Sequence, residues 1–308
     1  MADRFEYGRM NTAELLDTVF ELYKKTFWRQ MVRAMIFGIP AYIALIAVSI
    51  FGAVLLNAAG SGKIFGGFAA ILIVFVLLIL IWDALSFGGN ISLTKQAFYG
   101  KKVSLDVMFS DIRKNFIKMF SAVAAIFLLA FPPLAIAALF FSRVFRSVNF
   151  SSFPDISLTM FIAAAAVVVF IAYAATAVFD TLVSSAAASA AAEKKYFFSA
   201  VARSVRLIRG DFLTVCGTFM LWRLILGLLN YSVTAVYFLA TGSFAAGVNF
   251  FAEFNARGAL TDLIGNNFYF LLISLILSPL GGILKTVIYF NQRIKKEGFD
   301  IEIELGLG

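Results

Sequence analysis

Three ionisable residues, Asp83, Asp180 and Arg223, stand deep inside long apolar runs of this 308-residue sequence. A charge at the centre of a membrane span costs at least about 2.5–3.5 kcal/mol, so such groups turn inward and pair. Arg223 is therefore expected beside Asp83, Asp180 or both. Trp82 and Trp222 each precede one of these charges and are placed as caps on the cluster. Asn90, Asn230, Tyr231 and Ser278 extend it with neutral hydrogen-bonding groups. Two readings of the cluster stand open. It is a buried ion pair that fixes helix register, or a polar site for a proton, an ion or a charged headgroup. Two aspartates could also serve as general acid and base, but no paired motif of recognisable spacing accompanies them.

The rest of the chemical kit is small. There is no histidine and a single cysteine, Cys216, set in an apolar run and read as a small buried hydrophobe. A Cys/His zinc site, a histidine-ligated haem and a Ser-His-Asp triad are thus outside this sequence. No cofactor and no metal are expected, and no P-loop is present.

The elements that position the three charges are long apolar helices. The sequence is 61% hydrophobic and 14% charged, with mean hydropathy +0.91. Soluble domains run about 45–50% apolar and about 25% charged, so the class is an all-α integral membrane protein. Six spans are expected, at about 33–57, 65–94, 119–142, 157–191, 212–240 and 266–292, with Pro40, Pro132, Pro133 and Pro279 inside them as kink sites. At about 1.5 Å per residue, Asp83 lies about 18 Å from Lys95. Asp180 lies about 21 Å from Lys194, and Arg223 about 21 Å from Arg209. All three are expected near the midplane. Lys285, eight residues before Arg293, is expected to reach the interface instead.

Lys and Arg crowd one side of this arrangement, including Lys24, Lys25, Arg29, Arg33, Lys95, Arg113, Lys114, Lys194, Arg203, Arg206, Arg209 and Arg293. The other side has only Lys63, Arg143, Arg146 and Arg257. By the positive-inside rule both termini face the cytoplasm. The net charge of +8 then belongs to topology and anionic headgroups, not to nucleic acid. The N-terminus is too polar for a signal peptide. Asn149 opens a sequon on the outer side, and 241–265 reads as a segment lying on or dipping into the membrane.

Internal repetition organises the chain. "NTAELLDTVFELYKKTFW", "SLDVMFSDIRKNFIKMF" and "FSAVARSVRLIRGDF" each carry an apolar stripe at helical spacing. The stripes run through Leu15, Leu16, Val19, Phe20, Tyr23 and Phe27, then Leu105, Met108, Phe109, Ile112 and Phe116, then Phe198, Val201, Val205, Ile208 and Phe212. Asn11 followed by Glu14 reads as a capping-box-like start, and Ser104 is expected as an N-cap. The offsets are 93 and 96 residues, against 97 between Asp83 and Asp180. The single membrane domain, 1–308, therefore divides into three units at about 11–97, 104–192 and 198–296, before a short polar tail at 297–308. Each unit is an interfacial amphipathic helix followed by a two-span hairpin. Small-residue patches at 86–90, 184–192 and 278–282 mark each second span. They let helices approach closely or break a helix beside a polar cavity. Lys24, Lys25, Arg113, Lys114, Arg203, Arg206 and Arg209 form an expected basic cytoplasmic surface.

The opening "NTAELLDTVFELYKKTFW" and the ending "SPLGGILKTVIYFNQRIKKEGFDIEIEL" resemble a prokaryotic family named after the membrane domain of glycerophosphoryl diester phosphodiesterases, with its stand-alone relatives. The resemblance implies a multi-pass protein of the cytoplasmic (inner) membrane with a role near lipid metabolism or envelope assembly. It transfers no activity. In such fusions the phosphodiesterase is a separate soluble barrel using histidines and metal-binding carboxylates, none of which map onto this sequence. The expected function is a non-enzymatic accessory or scaffold subunit that binds membrane lipids, a protein partner or further copies of itself. The alternative is a transporter or permease for a lipid or charged amphiphile that uses the midplane Asp/Arg site. A cavity that reaches Asp83 and Asp180 favours the alternative; a closed Asp/Arg cluster favours the scaffold.

Overall fold

The computed structural model describes residues 10–58, 65–147, 158–241 and 258–298, with side chains over a narrower set. The sequon at Asn149, most of 241–265 and most of the C-terminal tail lie outside the described residues. Those described form eight helices: α1 (Thr12–Ala58), α2 (Phe65–Phe98), α3 (Leu105–Ser147), α4 (Leu158–Val183), α5 (Ala186–Glu193), α6 (Phe197–Ile208), α7 (Phe212–Thr241) and α8 (Gly258–Glu297). Among the described residues, four stretches are long and apolar enough to cross a membrane: Ile73–Phe98, Leu105–Pro133, Phe170–Glu193 and Phe212–Val233.

Local chemistry sets the helix ends. The Glu14 amide donates to Asn11 Oδ1 and the Asn11 amide to Glu14 Oε2, each at 2.9 Å, so α1 opens on a reciprocal capping box. Ser104 caps α3 by accepting the Asp106 amide at 3.2 Å. Gly100, at φ +65°, closes α2 in a conformation that costs other residues a Cβ clash.

The three entry segments do not behave alike. In α1 and α3 the amphipathic entry runs unbroken into the apolar stretch, giving helices of 47 and 43 residues. Neither Gly nor Pro stands at those junctions to end the helix, and Pro40, Pro132 and Pro133 lie within helices that continue past them. At about 1.5 Å per residue α1 is about 70 Å long, more than twice a hydrocarbon core of about 30 Å. Only the third entry forms a separate helix, α6, because Gly210 at φ +108° turns the chain before α7. Of the small-residue patches, only the second interrupts its helix, at Ser184–Ser185 between α4 and α5.

The stripes also shift in phase. Leu15, Leu16 and Val19 are buried as expected, but Phe20 is 39% exposed and Leu22 is fully buried in its place. In α6, Phe198 and Val205 are exposed while Ala200, Ser204 and Leu207 are buried. Each helix packs on two or more neighbours, so the buried arc is wider than one stripe. In α3, Met108, Ile112 and Met119 are buried and Phe109 is exposed.

α1 packs along α2 and α8, α2 along α3, and α4 along α7, with α5 and α6 wedged against α3. The main core gathers at the end of the bundle where the entry segments meet the end of α8, around Val19, Leu22, Phe98, Ile208, Leu284 and Tyr289. Beyond it, large apolar side chains such as Ile73, Phe131, Phe170 and Leu228 face outward, as a lipid-facing surface requires.

Candidate functional site

α4, α7 and α8 bring together two of the three expected charges and one that was placed elsewhere. Arg223 Nη2 meets Asp180 Oδ2 at 2.5 Å. The guanidinium also donates to Thr176 Oγ1, to the Thr176 carbonyl at 3.2 Å and to the Tyr173 carbonyl at 3.5 Å. The Tyr173 hydroxyl in turn donates to the Met220 carbonyl at 2.5 Å, tying α4 to α7. Lys285 does not reach away to the interface. Its Nζ lies 3.7 Å from Asp180 Oδ1 and 5.4 Å from the centre of the Phe87 ring. Asp180 supplies a partner inside the bundle, and that removes the reason to snorkel.

Asp83 stands apart from this pair. Among the described residues it makes no hydrogen bond and no ion pair; Arg223 pairs with Asp180 and not with Asp83. Asp83 borders two openings. One is a groove of about 500 Å³ between α1, α2 and α8, lined by Phe37, Ala41, Tyr42, Trp82, Ser86 and Ser278, among others. The other is an inner cavity of about 190 Å³, which it shares with Asp180, Lys285, Phe87, Ser184 and Ala187. The groove opens on the apolar outer surface, where Ile36 and Leu78 are exposed.

The remaining expected members divide. Trp82, 37% exposed, lines the groove. Trp222 points the other way: it is 3% exposed and lies 5.6 Å from the Phe20 ring in the main core, not over the charges. Consecutive helical residues differ by about 100° in direction, so preceding Arg223 in sequence did not place Trp222 beside it. Asn90 is buried and bound. It donates to the Pro279 carbonyl at 2.9 Å, accepts from Thr94 Oγ1 at 3.1 Å, and presses on Gly282, where an added Cβ would come within 2.3 Å of its amide. It joins α2 to α8 rather than extending the site. Asn230 and Tyr231 lie on the exposed face of α7. Ser278 is exposed on the groove wall.

Of the expected basic surface, Lys24, Arg113, Lys114, Arg206 and Arg209 are exposed, and so is Lys25, which pairs with Glu21 at 2.7 Å. Arg203 is drawn inward by the shifted phase of α6. Its Nε meets Glu193 Oε2 at 2.7 Å, and Nη2 pairs with Glu297. Arg293 bonds Glu297 at 3.0 Å, and the Tyr289 hydroxyl donates to Glu193 at 3.0 Å. Partial burial works against the Glu297 charge, but hydrogen bonds from Arg293 and Arg203 outweigh it and hold this carboxyl below its ordinary range. This network locks α5, α6 and the end of α8 together.

Sequence reasoning missed Arg33. It was counted with the exposed basic flank, yet it is 1% exposed. Its Nη1 donates to the Ser86 carbonyl at 2.6 Å and to Ser86 Oγ at 2.8 Å. Gly89 makes room for it, since a Cβ there would lie 2.8 Å from Arg33 Cδ. The available signal was spacing: Thr26, Gln30 and Arg33 continue the buried arc of Val19 and Leu22. The chain matches no family model, no curated protein and no solved structure, so its class rests on its own residues: an all-helical, membrane-embedded protein among its described parts.

Proposed function

We propose that this chain is a multi-pass membrane protein that takes an amphiphile from the bilayer into the groove between α1, α2 and α8 and handles its head at the midplane charges. One observation carries this reading. Asp83 has no partner among the described residues and borders both the 500 Å³ groove and the inner cavity of Asp180 and Lys285. Sites for small amphiphilic ligands are commonly clefts of about 300–1,000 Å³ with apolar walls and a few polar groups. The fuller arrangement belongs to the same proposal. It has six spans in three parallel units, both termini at the cytoplasm, and a place in a prokaryotic inner membrane, as the resemblance of the two chain ends implies. No catalytic step is assigned.

Blocking the groove tests the reading. Ala41→Trp places an indole in the groove lined by Ala41. Amphiphile retained through purification, read by native mass spectrometry, should fall at least about tenfold while the protein stays monodisperse. Unchanged retention sinks the reading.

The accessory-subunit reading keeps one observation in its favour: Asp180 is saturated by Arg223 and Lys285, as expected of charges that only hold helices together. Substituting Asn for both Asp83 and Asp180 separates the two. Loss of assembly with transfer unaffected in the surviving protein points to the scaffold; intact assembly with lost amphiphile transfer between vesicles points to handling.

A further inference from the structure

We propose that the groove selects amphiphiles whose head is an ammonium group, primary or quaternary, and that Asp83 is the residue that reads it. The inference rests on the amphiphile-handling function above and names the head chemistry. Three observations converge on it.

The first is charge. The midplane group holds two acids and two bases, but they are not shared evenly. Asp180 takes Arg223 at 2.5 Å and Lys285 at 3.7 Å. Asp83 has neither within 4.0 Å, nor any hydrogen bond among the described residues; Lys285, on the wall of the inner cavity they share, acts on it only at longer range. A carboxylate in apolar surroundings without a direct partner gains most from a cation brought to it. An anionic head would meet repulsion there instead.

The second is the wall. Phe37, Tyr42, Phe75 and Trp82 line the same groove as Asp83. Aromatic faces attract ammonium groups, the more so as the site dries. Trp82 shares the groove wall with Asp83, and Tyr42 brings a hydroxyl with no partner among the described residues. Aromatic walls are a recurrent solution for recognising quaternary ammonium groups.

The third is the position of the competing cations. Lys285 is turned to Asp180 and to the Phe87 ring on the inner-cavity side of α2. Arg33 is buried behind Ser86, bound to that residue's carbonyl and hydroxyl. Neither lines the groove. A cation entering from the bilayer therefore reaches Asp83 without displacing one of the protein's own. The remaining lining, including Ile36, Leu78, Ile79 and Leu275, suits a hydrocarbon tail.

An ammonium amphiphile has two natural sources, an amine-headed membrane lipid or a soluble lipophilic amine, and the experiment separates them. The full chain, in nanodiscs of phosphatidylglycerol, is titrated with dodecyltrimethylammonium, dodecanol and dodecyl sulfate below their aggregation thresholds. Binding is read from Trp fluorescence and corrected against empty nanodiscs. The ammonium probe should bind saturably and at least about tenfold more tightly than the other two. Asp83→Asn should remove that preference, while Asp83→Glu should keep most of it. Circular dichroism and monodispersity confirm that each variant is folded. In a parallel arm the protein is equilibrated with equal amounts of phosphatidylethanolamine and phosphatidylglycerol before native mass spectrometry. One-to-one retention of phosphatidylethanolamine assigns the site to a lipid. Binding of dodecyltrimethylammonium without such retention assigns it to a soluble amine. Equal affinity for all three heads, preference for the sulfate, or an unchanged preference in folded Asp83→Asn overturns the head assignment. The groove function would survive those results, because Ala41→Trp tests occupancy whatever the head.

Discussion

Asp180 carries more of the residue-scale stability than either cation it meets. Removing Arg223 leaves Lys285 3.7 Å from Asp180, whereas removing Asp180 leaves both cations without it. One-sided loss from a buried pair costs about 3–5 kcal/mol. These side chains are about a quarter exposed, so the lower end applies to Asp180→Ala. Arg223→Ala should cost clearly less, and the double variant less than the sum of the two. Thermal unfolding of the purified variants checks the order, and an Arg223→Ala loss larger than that of Asp180→Ala would contradict it. A second test concerns close approach. Gly282→Ala puts a methyl group within 2.3 Å of the Asn90 amide, so the Asn90–Pro279 hydrogen bond has to break. The expected loss is about 1–3 kcal/mol, largely absent when Asn90→Ala is introduced first.

At the scale of elements, the break between α4 and α5 is the feature that most depends on a neighbour. Ser204 of α6 donates to the Leu182 carbonyl at 2.7 Å and accepts the Ser185 amide at 3.1 Å. One hydroxyl thus satisfies backbone groups on both sides of the interruption, where water is scarce. Ser204→Ala should cost about 1–3 kcal/mol and speed hydrogen exchange around 182–189. Unchanged exchange there would show that the break is held some other way. α6 is held in place by the network of Glu193, Arg203, Arg293 and Glu297. The folded pKa of Glu297 is depressed. Its contribution is therefore fully present above the ordinary carboxylate value of about 4.3 and is lost as pH falls through the lower folded value. Stability measured from pH 7 downward should show an acid-side loss below about pH 4 that Glu297→Gln reduces. A Gln variant with the same acid limb would assign that loss to another group.

Across the whole molecule, the proposed parallel three-unit arrangement makes a topological prediction. Cys216 is the single cysteine, and it is buried, so Cys216→Ala gives a background for labelling. Cysteines placed at Lys25, Arg113 and Arg206, all exposed, should react with an impermeant maleimide in inside-out vesicles and stay unlabelled in intact cells. Labelling of one from the opposite face would break the three-unit arrangement.

Membrane character, helical class and the capping box at Asn11 were all legible in the sequence. Each depends on composition or on spacing along one helix, which the chain carries locally. The continuity of α1 and α3 was a matter of what was missing at the junctions, and the three entries were judged more alike than they are. That Arg223 would meet an aspartate was legible; which one, and the other partners, were not. Arg223 chose Asp180 over Asp83, Lys285 turned inward, Arg33 was buried, and Trp222 left the cluster for the core. Helical spacing gives the level and direction of a side chain within its own helix. Which helix stands opposite, and how far each is rotated, follows from packing such as Gly89 against Arg33 and Gly282 against Asn90. That rotation left Asp83 unpaired among the described residues, between two cavities, and so the tertiary structure, not the sequence, decided where the candidate site lies.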